Sequence, residues 1–250
     1  MIYFCIPAHD EAATVGLVMW KIRRVLEGST REYQFLVGDD ASTDTTQEVL
    51  ASYGKALPLT VVTAATRAGY AATVERLLRE ALKRSDRHKR DVAVLIPADF
   101  SADPGAIPDL LRPIDSGADI VVAEATLSPD ADRWTRRVRR WAPRLLGRRA
   151  RIPGVSDVVS GFAAFRLITL RNAFRDSAAA WFTVDGWAAN AQLLTRAASG
   201  ARRVETISTI ERADRHPRAL RHTPWQRIRQ LWAARRHLTP PPPAAEREPA

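Results

Sequence analysis

Cysteine is almost missing. One thiol, Cys5, occurs in 250 residues, which excludes a disulfide scaffold and a cysteine-ligated zinc site. Cys5 lies inside an apolar run and is expected in the core. The five histidines, at 9, 88, 216, 222 and 237, show no metal-ligand spacing. No stretch approaches the ~20 apolar residues that cross a bilayer. The opening MIYFCIPAHDEA has no basic leader and turns acidic at once, unlike a signal peptide. That predicts a chain kept in the cytosol, with contact at the inner face of a membrane left open. No Gly-x-Gly-x-x-Gly follows the first strand, which argues against a dinucleotide oxidoreductase. What remains is a globular composition, 46% apolar and 26% charged, which excludes wholesale disorder, collagen and coiled coil.

Charge is abundant but lopsided. There are 38 Lys+Arg against 28 Asp+Glu, a net +10, and the only lysines are Lys21, Lys55, Lys83 and Lys89. Segment 131–151 carries nine arginines and a single acid, Asp132; segment 201–240 carries ten arginines and three acids. A basic carboxyl-terminal half implies an anionic partner: phosphate groups, anionic lipid or nucleic acid. Nucleic acid is the weakest of the three, because no binding motif occurs and the acidic loops described below would repel a phosphate backbone.

The first 125 residues alternate strand and helix. Strands are predicted at 2–6, 33–38, 59–64, 91–97 and 118–124, and helices at 11–27, 44–50, 70–84 and 105–115, from period-2 or continuous apolar runs and 3.6-residue spacing. Crossovers of this length argue a mainly parallel sheet with helices on both faces. Residues 1–125 form one half, and 126–222 a second half of the same domain. A basic amphipathic helix is expected at 223–238, with Trp225, Ile228, Leu231, Trp232 and Leu238 near one face. It suits an anionic lipid surface or packing on the domain equally well. The Pro-rich tail 239–250 is expected to be extended or disordered.

Ligands of such sheets bind at the carboxyl ends of the strands. The loop after the first strand reads Pro7-Ala8-His9-Asp10-Glu11, which fits a helix start with Asp10 as N-cap. The second reads Gly38-Asp39-Asp40-Ala41-Ser42-Thr43-Asp44. Capping can use one of its acids, Asp44; adjacent Asp39 and Asp40 repel each other, so a ligand role is the better reading. The fourth holds Asp99 and Asp103. Asp103 precedes Pro104 and fits an N-cap. Asp99 ends an apolar strand, where one carboxylate plus diphosphate oxygens can hold Mg²⁺ or Mn²⁺. Arg137, Arg140, Arg166, Arg215 and Arg221 are candidates for gripping phosphates. Ser160 is a further candidate site residue.

Five blocks, in order over residues 1–238, resemble the family 2 glycosyltransferases. They are IPAHDEAATVG, VGDDASTDTT, IPADFSADPGAIPDLLRPI, SDVVSGFAAFR and ERADRHPRALRHTPWQRIRQLW. The last two look like the polyprenyl-phosphate branch, similar to dolichyl-phosphate mannosyltransferases. The resemblance implies a GT-A fold, a Rossmann-like α/β sheet, here followed by a basic helical extension. It implies a nucleotide-sugar donor, with Asp39 and Asp40 reading base and ribose and Pro7, Ala8 and Glu11 lining the pocket. It implies a metal on Asp99, helped by Asp103. It implies direct, inverting displacement onto an acceptor, which in this branch is a polyprenyl phosphate, and phosphate-handling roles for Arg215 and Arg166.

The chain departs from the pattern in several places. Pro97 stands where the first Asp of Asp-x-Asp is usual, Asp10 where Asn is usual, Ala41 where Gly is usual, and Gln192 where a later helix has Glu; Asp185 is the nearest substitute. The alternative these departures favour is a degenerate GT-A module that binds nucleotide-sugar or a partner protein without turnover.

Overall fold

The computed structural model describes residues 1–127, 133–175, 181–211, 224–236 and 238. They form one seven-stranded sheet in the order β3-β2-β1-β4-β6-β5-β7. The strands are β1 (Ile2–Ala8), β2 (Tyr33–Asp39), β3 (Leu59–Thr63), β4 (Val92–Leu95), β5 (Ile120–Leu127), β6 (Ala163–Arg166) and β7 (Val204–Glu211). All neighbouring strands are parallel except β6, which runs antiparallel to both β4 and β5. The eight helices of the described residues are α1 (Val15–Val25), α2 (Thr46–Tyr53), α3 (Tyr70–Arg84), α4 (Ile107–Asp115), α5 (Arg133–Leu146), α6 (Leu167–Phe174), α7 (Trp187–Ser199) and α8 (Pro224–Ala234).

The apolar patterning accounts for the layers. β1 is buried along nearly its whole length, as a central parallel strand must be. Its even residues Ile2, Phe4 and Ile6 join Val15, Val18, Met19 and Ile22 of α1 and Ile107, Leu110 and Ile114 of α4 on one face. Its odd residues Tyr3 and Cys5 join Val74, Leu77 and Leu78 of α3 on the other. Cys5 is wholly buried, and burial pushes its thiol pKa up, so it is inert packing.

Two sequence expectations need correction. The first helix begins at Val15 rather than Glu11. Asp10 is not its N-cap, because Asp10 adopts a left-handed conformation with φ of 54° and turns the chain five residues before the helix starts. In α8 the expected single apolar face divides: Leu231, Ala234 and Leu238 are buried, whereas Trp225 and Trp232 are 72% and 57% exposed. The tail from 239 lies outside the described residues.

The chain order reverses between β1 and β4: β1, β2 and β3 step one way, and β4 starts the other side. This is the switch point at which doubly wound sheets open a crevice. The antiparallel β6 brings a further loop there. Leu95 pairs with Ala163, so the residues just before β6 lie beside the carboxyl end of β4.

Candidate active site

The first two strand-end loops are locked together. Asp10 Oδ1 accepts hydrogen bonds from the Thr43 N–H at 2.6 Å, the Thr43 hydroxyl at 3.1 Å and the Asp44 N–H at 3.3 Å. The Asp10 N–H donates to Ser42 Oγ, and the Glu11 N–H to Thr46 Oγ1. Asp44 accepts from the Ala12 N–H across the gap and from the Thr46 N–H at the start of α2. The Thr43 backbone N–H, more than any other contact, holds the Asp10 carboxyl below the usual range. Asp44 is lowered as well: burial opposes this, and bonds from Thr46 and Ala12 outweigh it. Asp10 and Ala41, with φ of 54° and 52°, occupy a region that Asn and Gly tolerate best. Those are the residues usual at these positions.

Asp39 and Asp40 are both buried, at 0% and 4% exposure, and both are engaged by the fold. Asp39 accepts from the Ser42 N–H at 3.1 Å and from Gln47 Nε2 at 2.7 Å. Asp40 accepts from the Ala68 and Gly69 N–H groups at 2.7 and 2.9 Å. The two carboxylates thus coexist because each faces a different set of donors, and the expectation that they lack structural work is corrected. Asp40 sits at the amino end of α3, where the helix dipole favours negative charge. Pro7 and Ala8 end β1 beside them, since Ala8 pairs with Asp39. Glu11 holds its own turn, accepting from the Thr14 hydroxyl at 2.9 Å.

A second carboxylate reaches the start of α3 from far along the chain. Asp185 Oδ1 accepts from the Ala71 and Gly186 N–H groups, each at 2.8 Å. It lies so close to Gly69 that a Cβ there would fall 2.8 Å from Asp185 Oδ2, and Gly69 has φ of 93°. Next to it the Tyr70 hydroxyl donates to Asn190 Oδ1 at 2.7 Å, and Asn190 Nδ2 donates to the Val159 carbonyl at 3.1 Å. A Cβ on Gly161 would meet Asn190, Tyr70 and Pro97 at 3.3–3.5 Å. Pro97, Gly161, Tyr70 and Asn190 therefore pack together beyond the carboxyl end of β4. Burial is the first cause that pushes the Tyr70 phenol pKa up; the Asn190 bond opposes it, and the charges of Asp99 and Asp185 add to it. Tyr70 stays protonated, and both carboxylates lie within electrostatic reach of its hydroxyl.

Asp99 and Asp103 are both partly exposed at the end of β4. Asp99 Oδ1 accepts from the Ser101 N–H at 3.0 Å, and the intervening Phe100 has φ of 62°. Asp103 caps the 3₁₀ turn Pro104–Ala106 through the Gly105 N–H at 2.9 Å, so its helix-start reading holds. No group of three or more His, Cys, Asp or Glu that could cage a metal occurs among the described residues. The donor set suits an ion that takes one or two carboxylates and shares substrate phosphates, as Mg²⁺ and Mn²⁺ do.

Several expected site residues lie elsewhere. Arg166 pairs with Val92, at the opposite end of β4 from Asp99. Its guanidinium donates to the carbonyls of Ala118 at 2.8 Å, Lys89 at 3.0 Å and Ile114. It ties helix and loop ends together at the base of the sheet, and the structure does not bring it to the crevice. Ser160 is buried and donates to the Ala123 carbonyl at 2.7 Å. Gln192 is buried and exchanges two bonds with Thr183. Arg137 and Arg140 are exposed on α5. Arg215, Arg221, His216 and His222 lie outside the described residues. Tyr70 and Asn190 were given no role from the sequence; Tyr70 opens α3 at the end of a strand-end segment, and Asn190 is one polar residue inside α7.

The profile of the family described as "Glycosyl transferase family 2" matches residues 3–174, well over half of the chain. The chain belongs to this family. It is 28% identical over 166 residues to a dolichol-phosphate mannosyltransferase of Pyrococcus furiosus, covering 64% of this chain and 45% of that protein. The chain therefore spans less than half the length of that relative. Among solved structures it resembles Mycobacterium tuberculosis glucosyl-3-phosphoglycerate synthase, crystallised with Mn²⁺ and UDP-glucose, at 21% identity and a TM-score of 0.64 over 94% of this chain and 77% of that one. It also resembles S. aureus TarS 1–349, at 16% identity and a TM-score of 0.57 over 84% of this chain and 59% of that one. Likeness at this level establishes the GT-A fold.

Proposed function

We propose that the chain transfers a sugar from a nucleotide-sugar donor to a lipid phosphate, with inversion at the anomeric carbon. The observation that carries this reading is the convergence of Asp99 with the Tyr70–Asn190–Gly161 cluster at the switch point of a family 2 fold. The nucleotide would lie over Pro7, Ala8 and Glu11, with Asp39 and Asp40 shaping the base and ribose side of the pocket. Asp99 would hold Mg²⁺ or Mn²⁺ together with the donor diphosphate, and Asp103 would assist. Such an ion supplies charge neutralisation for the leaving diphosphate. The acceptor oxygen forms its bond to the anomeric carbon as the bond to the diphosphate oxygen breaks, and the nucleoside diphosphate departs. A phosphate acceptor is already an anion, so the step needs no strong general base.

The homology to a dolichol-phosphate mannosyltransferase supports a polyprenyl-phosphate acceptor. No helix among the described residues is long and apolar enough to cross a membrane; a lipid acceptor would be met at a membrane surface through the basic helix α8. A second reading, a GT-A module that binds donor without turnover, is favoured by Pro97 and by the use of Asp103 as a cap. Thermal shift with UDP-, GDP- and dTDP-sugars, each with and without Mn²⁺, tests both. A donor at about 100 times its Kd adds about 2.7 kcal/mol, which is roughly 5–11 °C for a chain of this size. Asp99→Asn should remove the Mn²⁺-dependent part. No shift with any nucleotide in a folded sample would end the transferase reading.

A further inference from the structure

α5 and α8 carry a feature that the transferase chemistry does not use. Neither helix contains an acid, and residues 133–151 hold nine arginines. Each helix packs inward on one stripe: Val138, Ala142 and Leu146 of α5, and Leu231 and Ala234 of α8, with Leu238 just beyond it, all in one core cluster. Each leaves the opposite stripe in water. On α8 that stripe reads Trp225, Arg229 and Trp232, with Arg236 in the turn that follows, all exposed. Spacings of four, three and four residues keep them on one side of the helix. The Arg236 guanidinium lies 5.7 Å from the Trp232 ring centroid. On α5 the exposed side carries Arg137, Arg140, Trp141 and Arg144, with Arg148 following. The two helices touch each other. Arg235, just past α8, lies over Gly147, just past α5, where a Cβ would fall 3.0 Å from Arg235 Nε. The two helices therefore pack side by side, each with a basic, tryptophan-bearing face exposed.

We propose that α5 and α8 together form a docking surface for an anionic lipid bilayer. Trp141, Trp225 and Trp232 enter the headgroup layer, and the flanking arginines pair with lipid phosphates. Charge complementarity selects the occupant: a field of arginines without an acid attracts an anionic leaflet, and exposed indoles alternating with guanidinium groups suit the polar–apolar boundary of a bilayer. A duplex nucleic acid would engage the arginines and leave the indoles in water. The surface also stands near the crevice, because α5 follows the carboxyl end of β5 after only residues 128–132. The proposal deepens the lipid-phosphate reading and rests on it for its purpose. Donor binding is read without vesicles, so the failure of one is distinguishable from the failure of the other.

The test is co-sedimentation of the full chain with vesicles of phosphatidylcholine alone and of phosphatidylcholine mixed with phosphatidylglycerol, with tryptophan quenching by brominated lipid. The wild type should bind the mixed vesicles only, lose binding as salt rises, and be quenched. Arg140→Gln with Arg144→Gln should lower partitioning about 25-fold, about fivefold for each arginine. Trp225→Ala with Trp232→Ala should lower it and abolish most quenching. All four positions are exposed, so the variants should melt like the wild type. Three results would overturn the proposal: mixed vesicles left unbound, wild-type binding by the α5 variant, or binding without quenching. Retention of the chain by duplex DNA but not by vesicles would reassign the surface to nucleic acid.

Discussion

Asp40→Asn separates what the second strand end does for the fold from what it does for a ligand. In the free protein the buried Asp40 carboxylate accepts two backbone N–H groups, from Ala68 and Gly69, at the approach to α3. Asparagine has nearly the same shape but only one acceptor oxygen. Its amide group must face the other N–H, donor against donor. A charge-assisted bond is worth about 1.5–3 kcal/mol, and a buried donor left unsatisfied costs about 1–3 kcal/mol. A loss of about 3 kcal/mol follows once the remaining neutral bond is counted. At 2–4 °C per kcal/mol for a chain of this length, Tm falls by about 6–12 °C. The assay is a thermal melt of the ligand-free protein, with hydrogen exchange to locate the change. Amides from Ala68 through the first two turns of α3 should exchange faster, and those of β1 should not. An unchanged Tm together with lost nucleotide binding would refute the reasoning, because Asp40 would then act on the ligand alone.

Ala41→Gly should stabilise the protein. A left-handed conformation costs an L-residue about 1–2 kcal/mol, and glycine returns somewhat less through its freer unfolded state, so Tm should rise by about 2–4 °C; a fall would show that the loop at Ala41 is unstrained. Arg166→Gln should lower Tm while leaving the donor-induced thermal shift intact, because three carbonyls lose a guanidinium donor far from the crevice. Normal Tm with lost turnover would return Arg166 to the reaction. Asp10 and Asp44 have folded pKa values below their ordinary 3.8. Their stabilisation is therefore full above the unfolded value and is lost as pH falls through the folded one. Asp10→Asn should flatten the acid limb of a stability–pH curve below about pH 4; a limb parallel to that of the wild type would rule this out.

Much of residues 1–125 was legible because apolar periodicity reports burial directly. β1 through β5 and α1 through α4 fall where alternating and 3.6-residue patterns put them, within a few residues. The turn after β1 was misread because Asp10 has helix-capping chemistry in sequence but spends its carboxylate on Thr43 and Asp44, 33 and 34 residues away. Asp39 and Asp40 were read as ligand groups on their mutual repulsion. That argument could not foresee that Gln47 and Ser42 serve one, while Ala68 and Gly69 serve the other. Arg166 sits within a block that resembles the family, yet the antiparallel direction of β6 carries it to the far end of the sheet from Gly161, only five residues earlier.

The sequence by itself determined the α/β class, the order of the strands along the chain and the acidic strand ends. It also determined the basic character of the carboxyl-terminal half. Local pattern and composition suffice for these, because they depend on residues within a turn or two of each other. Tertiary structure alone decided which strands are neighbours and where β1 and β4 part. It decided that Asp185 meets Ala71 and Asn190 meets Tyr70 across more than a hundred residues. It also divided the apolar residues of α8 between core and solvent, sending Leu231 inward and Trp225 and Trp232 outward. Those outcomes depend on which surfaces meet, and contacts between distant segments leave no period in the sequence to read.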